Sequence, residues 1–151
     1  GDLNKGSSQI FQRLYKGLKF YTSGSTGYVD VVDVADSLVA LLFSDVKNER
    51  FIVNGANLKY HDCFDRIAVA LGKPKATIKV SPFLKEIAWR VDVIRSFVTG
   101  KTPLLTKETA NSAMTNSTYS TAKIKNAINF NFTDMDTTIK KYTDWFIADL
   151  K

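Results

Sequence analysis

Apolar side chains recur along this chain at two periods, and the switches between them mark out its elements. Ile10, Phe11, Leu14 and Leu18 fall on one helical face behind Ser7 and Ser8, either of which can cap a helix by accepting a backbone N–H. Phe64, Ile67, Ala68 and Leu71 make a second stripe, stopped by Gly72 and Pro74. Ser81-Pro82 opens a third helix, because proline at the first helical position gives up no hydrogen bond. Leu84, Ile87, Ala88, Val91, Ile94 and Val98 then recur at helical spacing until Gly100. A fourth helix is predicted after Thr133, which serves as its cap, with a stripe of Met135, Ile139, Tyr142, Phe146 and Leu150.

Three stretches read as strands: the β-branched "YVDVV" at 28–32, "RFIVNG" at 50–55 and the alternating "ATIKV" at 76–80. After "YVDVV", Asp33 is placed to cap a helix from Val34 to Phe43, with Asp36 near its positive end. The Asn/Ser/Thr cluster at 115–121 reads as a loop between helices. The expected fold class is therefore α/β: a small parallel or mixed sheet with flanking helices and a mostly helical C-terminal part. A chain of 151 residues with 44% hydrophobic residues suits a single domain, 1–151.

No apolar stretch approaches the roughly 18 residues of a membrane span, so no membrane partner is expected. The net charge of +6 is spread along the chain rather than clustered with stacking aromatics, which argues against a nucleic-acid partner. Cys63 is the sole cysteine, which suits a reducing compartment, and a cytoplasmic location is expected. One His and one Cys in "YHDCF" cannot supply a zinc site, and no metal or catalytic constellation stands out. His61 and Cys63 are expected at a helix start, partly exposed, with Cys63 drawn into packing beside Phe64.

Three motifs imitate cofactor chemistry. Gly24 and Gly27 in "YTSGSTGYVD" match the first two glycines of a dinucleotide fingerprint, but the third position, which must let helix and strand close up, is Asp30. The better reading puts "GSTG" in a turn before the strand. Tyr15/Lys19 and Tyr119/Lys123 have the Tyr-x-x-x-Lys spacing of short-chain dehydrogenases. A glycine interrupts the first pair, and Tyr119 precedes the start of its helix, so both pairs are read as structural.

At "TGYVDVVDVADSLVALL" the chain resembles the [FY]-V-x-V-x-D-V-A segment of the NAD(P)-dependent epimerase/dehydratase family, the extended short-chain dehydrogenase/reductases. "GDLNKGSSQIFQRLYKG", "RFIVNGANLKYHDCFDRIAVALG" and "YSTAKIKNAINFNF" resemble other segments of that family, in its order. The resemblance implies the later, substrate-binding part of such an enzyme, with the glycine-rich NAD or NADP loop and the catalytic Ser/Tyr/Lys set lying upstream. The opening Gly1 fits the same expectation of a piece of a longer protein. The resemblance further implies that this chain holds no cofactor itself. It places Asn4, Lys5, Ser7, Ser8, Phe11 and Tyr28 beside a small-molecule substrate. Each has a plainer use as a cap, core residue, strand aromatic or solvated charge.

Thr26-Gly27 stands where many nucleotide-sugar members carry Arg-Asp, whose arginine can grip a diphosphate. That leans toward the branch resembling dihydroflavonol reductases and 3β-hydroxysteroid dehydrogenases. Ala122-Lys123 and Ile128-Asn129-Phe130 also depart from the family's Ser-Lys and Leu-Gly-Phe. Cut from its other half, "YVDVV" is expected to leave an edge or apolar patch uncovered and to promote self-association. The alternative is a free-standing basic α/β binding or scaffold module.

Overall fold

In a computed structural model of the chain, residues 8–100 and 106–150 are described. Helix α1 (Ser8–Tyr15) leads through β1 (Phe20–Tyr21) and β2 (Ser25–Tyr28) to α2 (Val31–Leu42). Strand β3 (Ala56–Lys59), α3 (Tyr60–Ala70) and β4 (Ile78–Lys79) follow. Helices α4 (Pro82–Thr99), α5 (Lys107–Ser112), α6 (Ala122–Ile128) and α7 (Met135–Asp149) complete the order. The strands form two pairs. β1 runs parallel to β4 with Phe20 opposite Ile78, and β2 runs antiparallel to β3 with Ser25 opposite Lys59 and Tyr28 opposite Ala56. The α/β class is the expected one, with parallel and antiparallel pairing and a helical C-terminal part.

The core lies where α1, α3 and α7 meet the β2–β3 pair. Leu14, Cys63, Ile67, Ala68, Leu71, Met135, Ile139 and Phe146 fill it, with Tyr28, Ala56 and Leu58 packed against them from the strands. Phe146 is stacked by Phe11 at 6.1 Å between ring centroids and met edge-on by Tyr15 at 5.8 Å. These are the stripes legible in the sequence, and fully burying each large apolar side chain contributes about 1.5–3 kcal/mol. The ends of α3 and α4 also follow the sequence. Gly72 and Gly100 take left-handed φ values of 64° and 66°, and the Ser81 hydroxyl accepts from Leu84 N at 3.1 Å.

The segment around residue 30 differs from expectation. "YVDVV" is not a strand: β2 ends at Tyr28, the "GSTG" stretch expected as a turn supplies most of it, and α2 begins at Val31. Asp30, not Asp33, caps that helix, in extended backbone with its carboxylate accepting from Val32 N at 2.9 Å. Asp33 therefore falls in the first turn, and Asp36 lies one turn further in. The β-branched valines tolerate this because no preceding turn crowds them at a helix start, while tertiary bonds hold both aspartates. "RFIVNG" likewise lies outside any ladder, and β3 forms just beyond it, where Gly55 N donates to Tyr28 O at 2.8 Å. Asp134, not Thr133, caps α7, accepting from Asp136 N at 2.9 Å.

Gly24 and Gly27 serve close packing. A Cβ on Gly24 would stand 2.6 Å from the carbonyl oxygens of both Ala113 and Thr115; one on Gly27 would stand 2.9 Å from the Tyr119 ring and run into the Asn54 amide. The strand is pressed against residues 113–119, with Ser25 N donating to Thr115 O at 3.1 Å and Ser117 N returning to Ser25 O at 3.0 Å. Asn57 holds the same segment like a ladder partner, donating to Tyr119 O at 3.0 Å and accepting from Tyr119 N at 2.9 Å.

Candidate functional site

A cavity of about 310 Å³ opens between α1, the end of β2, α3 and α7. Ser8 and Phe11 reach it from α1, Tyr28 from the last position of β2, and Cys63 and Ile67 from α3. Met135, Thr138, Ile139, Tyr142, Trp145 and Phe146 form its α7 wall, and no lysine or arginine is among the described residues that line it. Three residues singled out in the sequence, Ser8, Phe11 and Tyr28, thus share one apolar chamber. Asn4, Lys5 and Ser7 lie outside the described residues.

The Tyr28 hydroxyl is buried against the Cys63 thiol and, among the described residues, has no oxygen or nitrogen partner. Burial drives its pKa far up, and the neighbouring Cys63 thiol adds to the rise, so Tyr28 stays a neutral O–H donor. Burial also pushes the Cys63 thiol up, to about 11, with Tyr28 pulling weakly the other way. Cys63 is 2% exposed and behaves as a packed apolar group, which settles its position in favour of packing.

Beneath the cavity wall sits a carboxylate with four donors. Asp30, 2% exposed, accepts from Val32 N at 2.9 Å, Tyr142 Oη at 2.8 Å, Lys141 Nζ at 3.0 Å and Thr138 Oγ1 at 3.3 Å. Burial acts to raise its pKa, but the bonds from Val32, Tyr142 and Lys141 outweigh it and hold the carboxyl below its ordinary 3.8. Burial and the Asp30 carboxylate together raise the Tyr142 pKa, so this hydroxyl too is a neutral donor, already committed to Asp30. The chamber presents protonated hydroxyls and apolar walls, an arrangement suited to binding. The α7 wall was visible in the sequence only as an apolar stripe; the bond from Tyr142 to a residue 112 positions away carried no local signal.

The cofactor-like motifs have other partners. Lys123 turns to Glu49 and to Arg50 O at 3.1 Å, and Tyr119 precedes α6. Tyr15 ends α1 and lies under the Lys73 ammonium at 4.3 Å, while Lys19 lies beyond the helix. Backbone from 113–119 fills the space beside the Gly24–Gly27 strand. His61 stacks on Tyr21 at 4.1 Å, and among the described residues no three His, Cys, Asp or Glu side chains are placed to hold a metal. Among them, too, no helix is long and apolar enough to cross a membrane.

No protein-family model matches the sequence, and no curated protein matches it. Solved structures do match. The structure of gox2253 aligns with a TM-score of 0.71 at 19% identity, covering 98% of this chain and 46% of that one. PA4631, a nucleoside-diphosphate-sugar epimerase from Pseudomonas aeruginosa, aligns with a TM-score of 0.70 at 20% identity, covering 98% of this chain and 44% of that one. The chain has an epimerase-like fold. It spans less than half the length of either of these structures.

Proposed function

We propose that this chain is the substrate-binding part of a longer NAD(P)-dependent enzyme of the extended short-chain dehydrogenase/reductase type, with NAD or NADP held by a separate N-terminal part. The observation that carries this reading is the convergence of Ser8, Phe11 and Tyr28 on one apolar cavity, around a buried Tyr28 hydroxyl that has no oxygen or nitrogen partner among the described residues. An unpaired buried hydroxyl costs about 1–3 kcal/mol, a penalty that a hydrogen-bonding ligand relieves.

The cavity favours a bulky, weakly charged substrate. A diphosphate needs cations, and the described lining residues include none. Helix α2 supports the existence of a covering part: its buried residues are Asp33 and Ser37, while Leu38, Val39, Leu42 and the C-cap Phe43 face outward. A helix that buries polar groups and exposes apolar ones is shaped for a second body on its outer side.

Titration of NADH fluorescence with this chain tests the division of labour. No saturable signal is expected; tight, stoichiometric binding overturns it. Reading the intact gene tests the parentage: a glycine-rich strand-turn-helix upstream of Gly1, followed by Tyr-x-x-x-Lys, is expected, and a start codon adjacent to Gly1 favours a free-standing binding module instead.

A further inference from the structure

Helix α4 is the most exposed large element among those described. It contains no buried residue, and its neighbour is the short α5, to which Lys85 Nζ donates at Asn111 Oδ1, 2.7 Å away. Beyond that tether Val91, Ile94, Phe97 and Val98 are 57%, 64%, 90% and 77% exposed.

The spacing of the apolar residues says what kind of body fits them. Leu84, Ile87, Val91, Ile94 and Val98 advance by three, four, three and four residues. This is the two-in-seven repeat whose seam stays aligned along a facing helix, and Phe83, Ala88 and Phe97 broaden its borders. The seam runs roughly 21 Å along the axis at 1.5 Å per residue. With Phe83 and Phe97 along one border, the side chains offer on the order of 800 Å², the share one partner gives to a standard-size interface.

Charge selects the identity of the facing helix. Arg90 and Arg95 stand on opposite borders of the seam, where a like copy would bring arginine toward arginine. Each is already neutralised within its own helix, Arg90 by Glu86 at 2.7 Å and Arg95 by Asp92 at 2.7 Å. Two identical helices can therefore approach without repulsion, and no free block of one sign is left to recruit an oppositely charged partner or an anionic lipid surface.

We infer that α4 is a self-association helix, pairing through Leu84, Ile87, Val91, Ile94 and Val98 with the α4 of a second copy of this chain. The pairing is independent of the cavity and of any substrate.

Sedimentation equilibrium over a wide concentration range tests it. The mass is expected to rise from 16.9 kDa toward twice that value, and Val91→Glu and Ile94→Glu variants to remain at 16.9 kDa with unchanged circular dichroism. Both positions are more than half exposed, so the folded monomer has no need of them. The inference is overturned by a wild-type chain that stays monomeric throughout. It is overturned equally by a dimer that survives both α4 variants but dissociates on Leu42→Glu, which would place the contact on α2. Binding of the wild-type chain to phosphatidylcholine–phosphatidylglycerol vesicles, lost in the α4 variants and with no doubling of mass in solution, overturns it as well.

Discussion

Asp33 and Thr133, a hundred residues apart, are joined by two hydrogen bonds: Thr133 N donates to one carboxylate oxygen and Thr133 Oγ1 to the other, each at 2.7 Å. The bonds fasten the first turn of α2 to the residue just before the cap of α7. The aspartate of the most recognisable stretch of the sequence is therefore a clamp, and the threonine is its counterpart rather than a helix cap.

Removing that clamp is expected to cost stability without changing the fold. Asp33→Ala leaves a backbone N–H and a hydroxyl without their acceptor and is expected to lower the unfolding free energy by about 3 kcal/mol; Asp33→Asn, which keeps one acceptor, by about half as much. Urea denaturation followed by circular dichroism measures both. Equal midpoints for Asp33→Ala and the parent chain refute the clamp.

The neighbouring Asp30 gives a pH dependence with a definite sign. Its folded pKa lies below the unfolded 3.8, so its contribution is fully present above that value and is lost as pH falls through the folded one. Lys141 moves in the opposite direction, raised above 10.5 chiefly by its bond to Asp30, so its contribution is present below 10.5 and is lost as pH rises through the folded value. Asp30→Asn is expected to flatten the acid limb of the stability profile below about pH 4, read as urea midpoints across pH. An unchanged acid limb refutes the assignment.

How much of this was legible follows from the range of the forces involved. The stripes of α1, α3 and α7 and the stops at Gly72 and Gly100 are local signals, and they stand where the sequence puts them. Ser8, Phe11 and Tyr28 were singled out by resemblance, and they meet in one cavity. The start of α2 was misread by three residues. Local propensity favours a strand through "YVDVV", but Asp30 and Asp33 draw their bonds from Thr133, Thr138, Lys141 and Tyr142, about a hundred positions along the chain. No window of sequence contains that information. The use of the glycine pair, close approach to residues 113–119, required the fold.

That use makes a prediction that separates two kinds of glycine. Gly24→Ala forces a methyl to within 2.6 Å of two backbone carbonyl oxygens, neither of which can move without breaking the bridge to residues 113–117, and a loss of about 3 kcal/mol or more is expected. Gly72→Ala meets open space but must hold φ at +64°, for which about 1 kcal/mol is expected. Thermal or urea unfolding of the two variants checks the order; Gly72→Ala as the more damaging change refutes it.

Cys63 should be silent toward thiol reagents until the chain unfolds. It is 2% exposed and its pKa is pushed up to about 11, so at about pH 8 almost none is thiolate. A chromogenic disulfide reagent is expected to react slowly with the folded chain and at once in urea. The raised pKa has a linked consequence: its stabilising contribution is whole below the unfolded 9.0 and is lost as pH rises through about 11. Rapid labelling of the folded chain refutes the packed position.

The weakly paired Tyr28 hydroxyl provides the sharpest test, because it predicts a gain where most core substitutions give a loss. Tyr28→Phe removes a buried donor that, among the described residues, meets only the weakly accepting Cys63 thiol, while keeping the ring that packs on the core. Stability is expected to hold or to rise by up to about 1 kcal/mol. The same change should weaken any ligand that bonds this hydroxyl by about 5- to 150-fold, the equivalent of about 1–3 kcal/mol for one buried polar group left unpaired. Paired measurements of urea midpoint and ligand affinity on one variant therefore separate a functional hydroxyl from a structural one. A loss of stability without a change in affinity refutes the functional role.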